Sequence, residues 1–204
     1  MNFLAGQYKG AAYAALFLME KMIGSDYETL RQYHPCLGTK TGNAGRIHLP
    51  VSPVCNLCCR YCQRAFSDEL ERPGRSRGIL PLEMVSDSLK TALELCPEIT
   101  TVGIAGPGDT LASDHALEAF RLVDRDYPDL IKCMSTNGLL LSEKAEEIAA
   151  VHVDTITVTV NAVDPAVEAQ INHRIWYQGE WICGQEAAKC LITHQLEGIQ
   201  RAVS

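Results

Sequence analysis

Residues 46–66 read RIHLPVSPVCNLCCRYCQRAF, a short apolar stretch that runs directly into four cysteines at positions 55, 58, 59 and 62. Residues 46–52 have the pattern of a strand, so the thiols fall in a loop at its carboxyl end. From there strands and helices alternate. Helices are expected over residues 82–96, from about 114 to 124, over 142–151 with Ser142 as a capping-box-like start, and from about 185 to 201. Strands are expected over residues 100–105, 130–136 and 155–160. This alternation implies a parallel sheet, in which ligands bind beyond the carboxyl ends of the strands. Four loops converge there: the cysteine loop, AGPGD (105–109), STNG (135–138) and NAVDP (161–165). No internal repeat, low-complexity tract or interdomain linker interrupts the pattern.

With 204 residues, 47% hydrophobic and 21% charged, the chain has material for one well-buried domain. A net charge of −7, with basic residues clustered only in ERPGRSRG (71–78), excludes a general nucleic-acid binder. The apolar run AAYAALFLM (11–19) ends at Glu20 and Lys21, short of the roughly 20 apolar residues that span a bilayer. The opening MNFLAGQYKG lacks the basic start of a signal peptide. The run therefore reads as an amphipathic helix of a cytoplasmic protein with no membrane partner. Residues 1–45 read as an N-terminal helical extension and 46–204 as the core.

Nine cysteines are an odd number, and in a reducing compartment a tight group of them points to metal or redox chemistry. Two unstrained disulfides do not fit within so short a loop. Cys55, Cys59 and Cys62 form C-x3-C-x2-C. Three thiolates on one loop can hold three corners of a [4Fe-4S] cube and leave the fourth iron open for chemistry. A structural zinc usually takes two separated cysteine pairs, and no further pair exists outside this loop. In AGPGD, Gly106 and Gly108 allow close backbone approach to a ligand, although without the cysteine triad the glycines alone favour a tight structural turn. Thr157, Thr159 and Asn161 alternate along the last strand; the asparagine at its end is a candidate cofactor contact and the threonines read as strand formers.

The cysteine triad after a first strand, with Tyr61 before its last member, resembles the signature of radical S-adenosylmethionine (SAM) enzymes. The resemblance implies a partial (β/α) barrel of parallel strands, with about four of the usual six strand–helix units present. It makes Cys55, Cys59 and Cys62 the ligands of a [4Fe-4S] cluster whose open iron binds the amine and carboxylate of SAM. An electron from a donor such as ferredoxin or flavodoxin then cleaves the sulfonium to a 5'-deoxyadenosyl radical, so the cofactor carries the chemistry and the protein positions it. Tyr61 is placed near the adenine, and Gly106, Pro107, Gly108 and Asp109 hold the methionine end. Ser135, Asn137 and Asn161 complete the cofactor contacts, and Cys58 is a bystander.

A finer resemblance rests on HPC (34–36), RIHLPVSPVCN (46–56), RPG (72–74), IAGPGD (104–109), STNG (135–138) and QLEGI (195–199), which occur in the order seen in NifB-like maturases of the nitrogenase cofactor. Those proteins couple two [4Fe-4S] precursors, insert a carbide derived from a methyl group of SAM and add a sulfur. The likeness implies cluster substrates, cluster carrier proteins as partners, and additional [4Fe-4S] clusters held by His34, Cys36 and Cys133. Taken alone, His34 reads as a satisfied histidine and Cys133 as a buried apolar residue. Departures are visible. No cysteine follows the triad in QRAFSDELERPG (63–74), and Leu70 stands where the family carries a glutamate, leaving Glu69 and Glu71 as the catalytic candidates. The histidine-rich acidic stretch usual after HPC is replaced by LGTKTGNAG (37–45). The expectation is a divergent, C-terminally truncated relative. A radical SAM enzyme with another substrate and a non-catalytic cluster carrier or scaffold are the alternatives. Cys96, Cys183 and Cys190 match no ligand and read as packing residues.

Overall fold

The order of elements contains the alternation of the sequence and adds further strands and helices to it. A computed structural model describes residues 15–18, 27–35, 44–62 and 78–203. The chain forms β1 (Ala15–Leu18), α1 (Tyr27–Tyr33), β2 (Gly45–His48) and β3 (Leu57–Cys59), then a 3-10 turn (Leu82–Met84) leading into α2 (Val85–Leu95). It continues through β4 (Ile99–Ile104), α3 (His115–Asp126), β5 (Ile131–Thr136), α4 (Leu141–Ala150) and β6 (Thr155–Val160). Last come α5 (Pro165–Ile171), β7 (Asn172–Tyr177), β8 (Glu180–Cys183) and α6 (Gly184–Val203).

The main sheet has the order β1-β6-β5-β4-β2. β2, β4, β5 and β6 are mutually parallel, and β1 lies antiparallel on the outer edge of β6. The parallel sheet is the one expected from the alternation, and the architecture agrees with the partial β/α barrel that the resemblance implies. β-Branched residues dominate β4 and β6, which suits strands covered on both faces. Val102, Ile104, Met134 and Val158 point into the core, where α3 presents Ala116, Leu117, Ala119, Phe120 and Val123 at helical spacing. Phe120 is fully buried, and truncating it to alanine is expected to cost about 3–5 kcal/mol. The alternate residues of the strands face the other way, where the loops after β2, β4, β5 and β6 meet.

Three local readings differ from the structure. Residues 15–18, expected in a helix, form β1 in register with residues 157–160 of β6. The apolar run covers a sheet edge that would otherwise be unpaired, and that tertiary gain outweighs its helical pattern. Ser142 does not start α4: the helix begins at Leu141, its N-cap is Leu140 with no side-chain cap, and Leu141 N donates to Gly138 O at 3.2 Å. The loop after β6 does have a side-chain cap, because Asp164 accepts from Ala166 N and Val167 N ahead of Pro165 at the first helical position. The third difference is a second, antiparallel sheet of order β3-β7-β8, which the sequence reading left unassigned.

Candidate functional site

The cysteine loop is fastened at both ends. On leaving β2 it runs beside the AGPGD turn, where Ser52 N donates to Gly106 O at 3.4 Å, Gly108 N to Ser52 O at 2.6 Å and Asp109 N to Val54 O at 2.9 Å. Ser52 and Pro107 form a parallel bridge, so the two loops are zipped together beyond the end of the sheet. A Cβ on Gly108 would lie 1.9 Å from Val54 O, so only glycine permits this approach. Gly106 has φ +147°, a conformation that L side chains rarely adopt. The far end of the loop is β3, where Cys58 pairs with Arg174 and Cys59 with Asn172.

Cys55 is exposed, and Cys58, Cys59 and Cys62 are half-buried. Cys62 N donates to Cys59 O at 3.1 Å, which turns the last cysteine back towards the second. Burial pushes the Cys59 thiol up to about 12, a Tyr61 hydrogen bond opposes this, and the neighbouring Cys55 and Cys62 add to it. Three thiolates held so close need positive charge among them. No three His, Cys, Asp or Glu side chains among the described residues converge tightly enough to grip a single metal ion. The three thiols of the C-x3-C-x2-C loop are a donor set that fits three corners of a [4Fe-4S] cluster.

Beside Cys55 lies an open cleft with a volume of about 160 Å³. Cys55, Leu57 and Tyr61 form one wall, Ala105, Gly108 and Asp109 a second, Ser135, Thr136 and Asn137 a third, and Thr159 and Asn161 the fourth. All four loops expected at the strand ends are thus brought together. Gly106 and Pro107 build the turn behind the wall. Tyr61 OH donates to Asn161 Oδ1 at 3.4 Å across the cleft.

Asp109 is 5% exposed and braces the walls. Its carboxylate accepts from Thr136 Oγ1 at 3.0 and 3.1 Å, from Asn137 N at 2.6 Å and from Leu111 N at 3.0 Å. Burial raises its pKa and these bonds oppose the rise. Asn137 Nδ2 in turn donates to Asn56 Oδ1 at 2.7 Å, tying the third loop to the cysteine loop.

A second polar group lies deeper on the strands. Arg46 Nη2 donates to Cys133 Sγ at 3.5 Å, and His34 Nε2 lies 3.4 Å from Thr155 Oγ1, whose residue is paired in register with Cys133. His34 is 2% exposed; burial and then Arg46 hold its pKa down to about 4, which keeps the imidazole neutral near pH 7. His34 and Cys133 therefore sit near one another. Cys36, Glu69 and Glu71 lie outside the described residues. Cys96 and Cys183 are exposed and do not pack, whereas Cys190 does lie against the core.

The sequence reading missed Glu168. It is fully buried on α5, and its Oε1 accepts a hydrogen bond from Asn172 Nδ2. Asn172 is the strand partner of Cys59, so Glu168 stands directly behind the triad. A buried polar residue in a surface-like helical pattern left no signal. Asn56 was also missed, and Thr159, read only as a strand former, lines the cleft.

The pattern of the radical SAM superfamily matches residues 49–189, from the end of β2 into α6. The chain belongs to the radical SAM superfamily. Among curated proteins it is similar to the FeMo cofactor biosynthesis protein NifB of Methanocaldococcus infernus, 46% identical over 187 residues, covering 90% of this chain and 61% of the relative. The protein of the same name from Methanocaldococcus jannaschii is 41% identical over 187 residues, covering 90% of this chain and 62% of that one. The one from Azotobacter vinelandii is 33% identical over 212 residues, covering 98% and 42%. The chain thus spans about three fifths or less of the length of these relatives. Among the described residues no helix is long and apolar enough to cross a membrane.

Proposed function

We propose that the protein is a radical SAM enzyme of nitrogenase iron–molybdenum cofactor biosynthesis, acting on iron-sulfur cluster precursors as its substrate. The observation that carries this reading is the zip between the cysteine loop and AGPGD, which sets Cys55, the first thiol of the triad, and the glycine turn on adjoining walls of one cleft. Similarity to proteins named for FeMo cofactor biosynthesis supports the choice of pathway. In this reading Cys55, Cys59 and Cys62 hold the [4Fe-4S] cluster. Gly108 and Asp109 offer the methionine end of SAM a wall locked to the cysteine loop and braced from behind. Tyr61 and Asn161 close the cleft on the adenine side, and Ser135 and Asn137 contact the remainder. When bound, the cluster and SAM together supply reductive cleavage of a sulfonium, with the electron delivered by a ferredoxin- or flavodoxin-like donor.

The finer reading is transfer of a methyl group from SAM to a cluster substrate and its conversion to carbide. His34 and Cys133, brought together around Arg46, support a place for a further cluster, with Cys36 as the third donor. Residues 46–204 form the catalytic core and residues 1–45 an extension that contributes His34. Chemistry that needs free thiols favours the cytoplasm, and cluster carrier proteins are the partners that would deliver the substrate.

Anaerobic reconstitution followed by addition of SAM and reductant tests the proposal. Formation of both 5'-deoxyadenosine and S-adenosylhomocysteine is expected. 5'-Deoxyadenosine alone would remove methyl transfer and leave a radical SAM enzyme with another substrate. Neither product, with the cluster loaded, would leave only a carrier.

A further inference from the structure

Three landmarks of the sequence meet at one side chain that lies outside the cleft. Gln195, from the QLEGI stretch of α6, is 1% exposed, and its Nε2 donates to Asn137 O at 2.7 Å and to Thr159 O at 3.0 Å. Asn137 and Thr159 line different walls of the cleft, one at the end of β5 and the other on β6. A primary amide has two N–H hydrogens, and here each meets a backbone carbonyl, so its orientation is dictated by its partners. Oε1 is left buried with no partner among the described residues. An orphaned buried acceptor is unfavourable, and packing alone would be better served by an apolar side chain. What the glutamine uniquely supplies is the pair of donors.

Two glycines make the reach possible. Gly138 has φ +84°, and a Cβ there would lie 2.9 Å from Gln195 Cγ and 2.7 Å from Val158 Cγ1. One turn beyond Gln195, a Cβ on Gly198 would lie 2.7 Å from Leu141 Cβ. Gly198 lets α6 settle against the start of α4, and Gly138 lets the glutamine lie across the STNG turn.

We propose that Gln195 is a positioning residue, a clasp from α6 that holds the ends of β5 and β6 at the separation the cofactor cleft requires. It acts through Asn137 and Thr159. The ligand half of this inference rests on reading the cleft as the SAM site; the clasp itself does not.

The test compares wild type with Gln195→Met, which keeps length and burial but removes both donors, using Leu196→Ala on the exposed neighbouring position as control. In the cluster-free protein, amide hydrogen exchange is expected to quicken in peptides covering residues 135–139 and 158–161 and nowhere else. In reconstituted protein at matched iron loading, SAM binding is expected to weaken about tenfold, the scale of losing a pair of buried hydrogen bonds. Unchanged exchange in those peptides, or a general quickening across α4 and α6, overturns the clasp. If wild type binds SAM and Gln195→Met binds it equally well, the positioning role is overturned. If wild type binds no SAM, the reading of the cleft fails, and local exchange still decides the clasp.

Discussion

Arg46 reaches the sulfur of Cys133 across the backbone of Gly103. Its Nη2 donates to Sγ at 3.5 Å, and a Cβ on Gly103 would lie 2.7 Å from both Nε and Nη2. Gly103→Ala is therefore expected to displace a flexible side-chain end while sparing the backbone, at a stability cost of about 1 kcal/mol in chemical denaturation of the cluster-free protein. Its larger effect falls on iron. After reconstitution, Gly103→Ala should resemble Cys133→Ala in losing iron beyond the triad's cluster. Wild-type loading in Gly103→Ala would remove Arg46 from any part in holding that iron.

The triad and the fourth cysteine should separate cleanly. Replacing Cys55, Cys59 or Cys62 with alanine is expected to abolish the SAM-responsive signal in paramagnetic resonance of the reduced protein, because each supplies one corner of the cube. Cys58→Ala should keep it. An unchanged SAM-shifted signal in Cys59→Ala would falsify the ligand assignment.

The two glycines of AGPGD should fail in different ways. At Gly106 the nearest atom to an added Cβ is 3.5 Å away, so Gly106→Ala meets backbone strain alone, on the order of 1–3 kcal/mol, and should still load iron. At Gly108 the obstruction is the carbonyl of Val54, next to Cys55, so even alanine pushes the cysteine loop away. Gly108→Ala is expected to lose iron and SAM binding together. Iron-to-protein ratio and SAM titration on the two variants check this, and full iron loading of Gly108→Ala would show that the loops are not locked together.

Glu168 gives the cluster-free protein a pH dependence of definite sign. Burial raises its carboxyl above the ordinary 4.5, with the Asn172 hydrogen bond opposing. The folded chain then holds this proton more tightly than the unfolded chain, so stability falls as pH climbs from about 4.5 through the raised value. Glu168→Gln keeps an acceptor for Asn172 but cannot ionise. Relative to wild type it should gain stability with rising pH, by at most about 1.4 kcal/mol per unit. Urea denaturation of both proteins at about pH 5, 6 and 7 measures the difference. Parallel profiles would mean that Glu168 ionises in the folded chain as readily as in water.

The parallel sheet was legible because TITVTV and TTVGIA announce strands by β-branching, and the glycine and asparagine clusters after them announce loops. That placed the four walls of the cleft correctly. The second sheet was not legible. β3 is three residues inside the cysteine motif, and in NHRIWY of β7 the buried residues are Asn172 and Ile175, three apart, in place of a strict two-residue alternation. Its turn to β8 uses Gln178 and Gly179 at φ 50° and 86°, without the Asn-Gly or Asp-Gly pair that usually marks such a hairpin. Residues 15–18 misled because pairing with the edge of β6 overrides the helical pattern of the run. Glu168 and Gln195 are polar residues on helices, and only the tertiary arrangement buries them.

The zip between the cysteine loop and AGPGD also bears on how such a chain can vary. Ser52 is in register with Pro107, and the bonds on either side leave neither loop any slack. An insertion of one residue between Ser52 and Cys55 would shift the triad along the cleft unless the glycine loop lengthened by the same amount. Loop lengths on these two segments are therefore expected to covary among functional homologues.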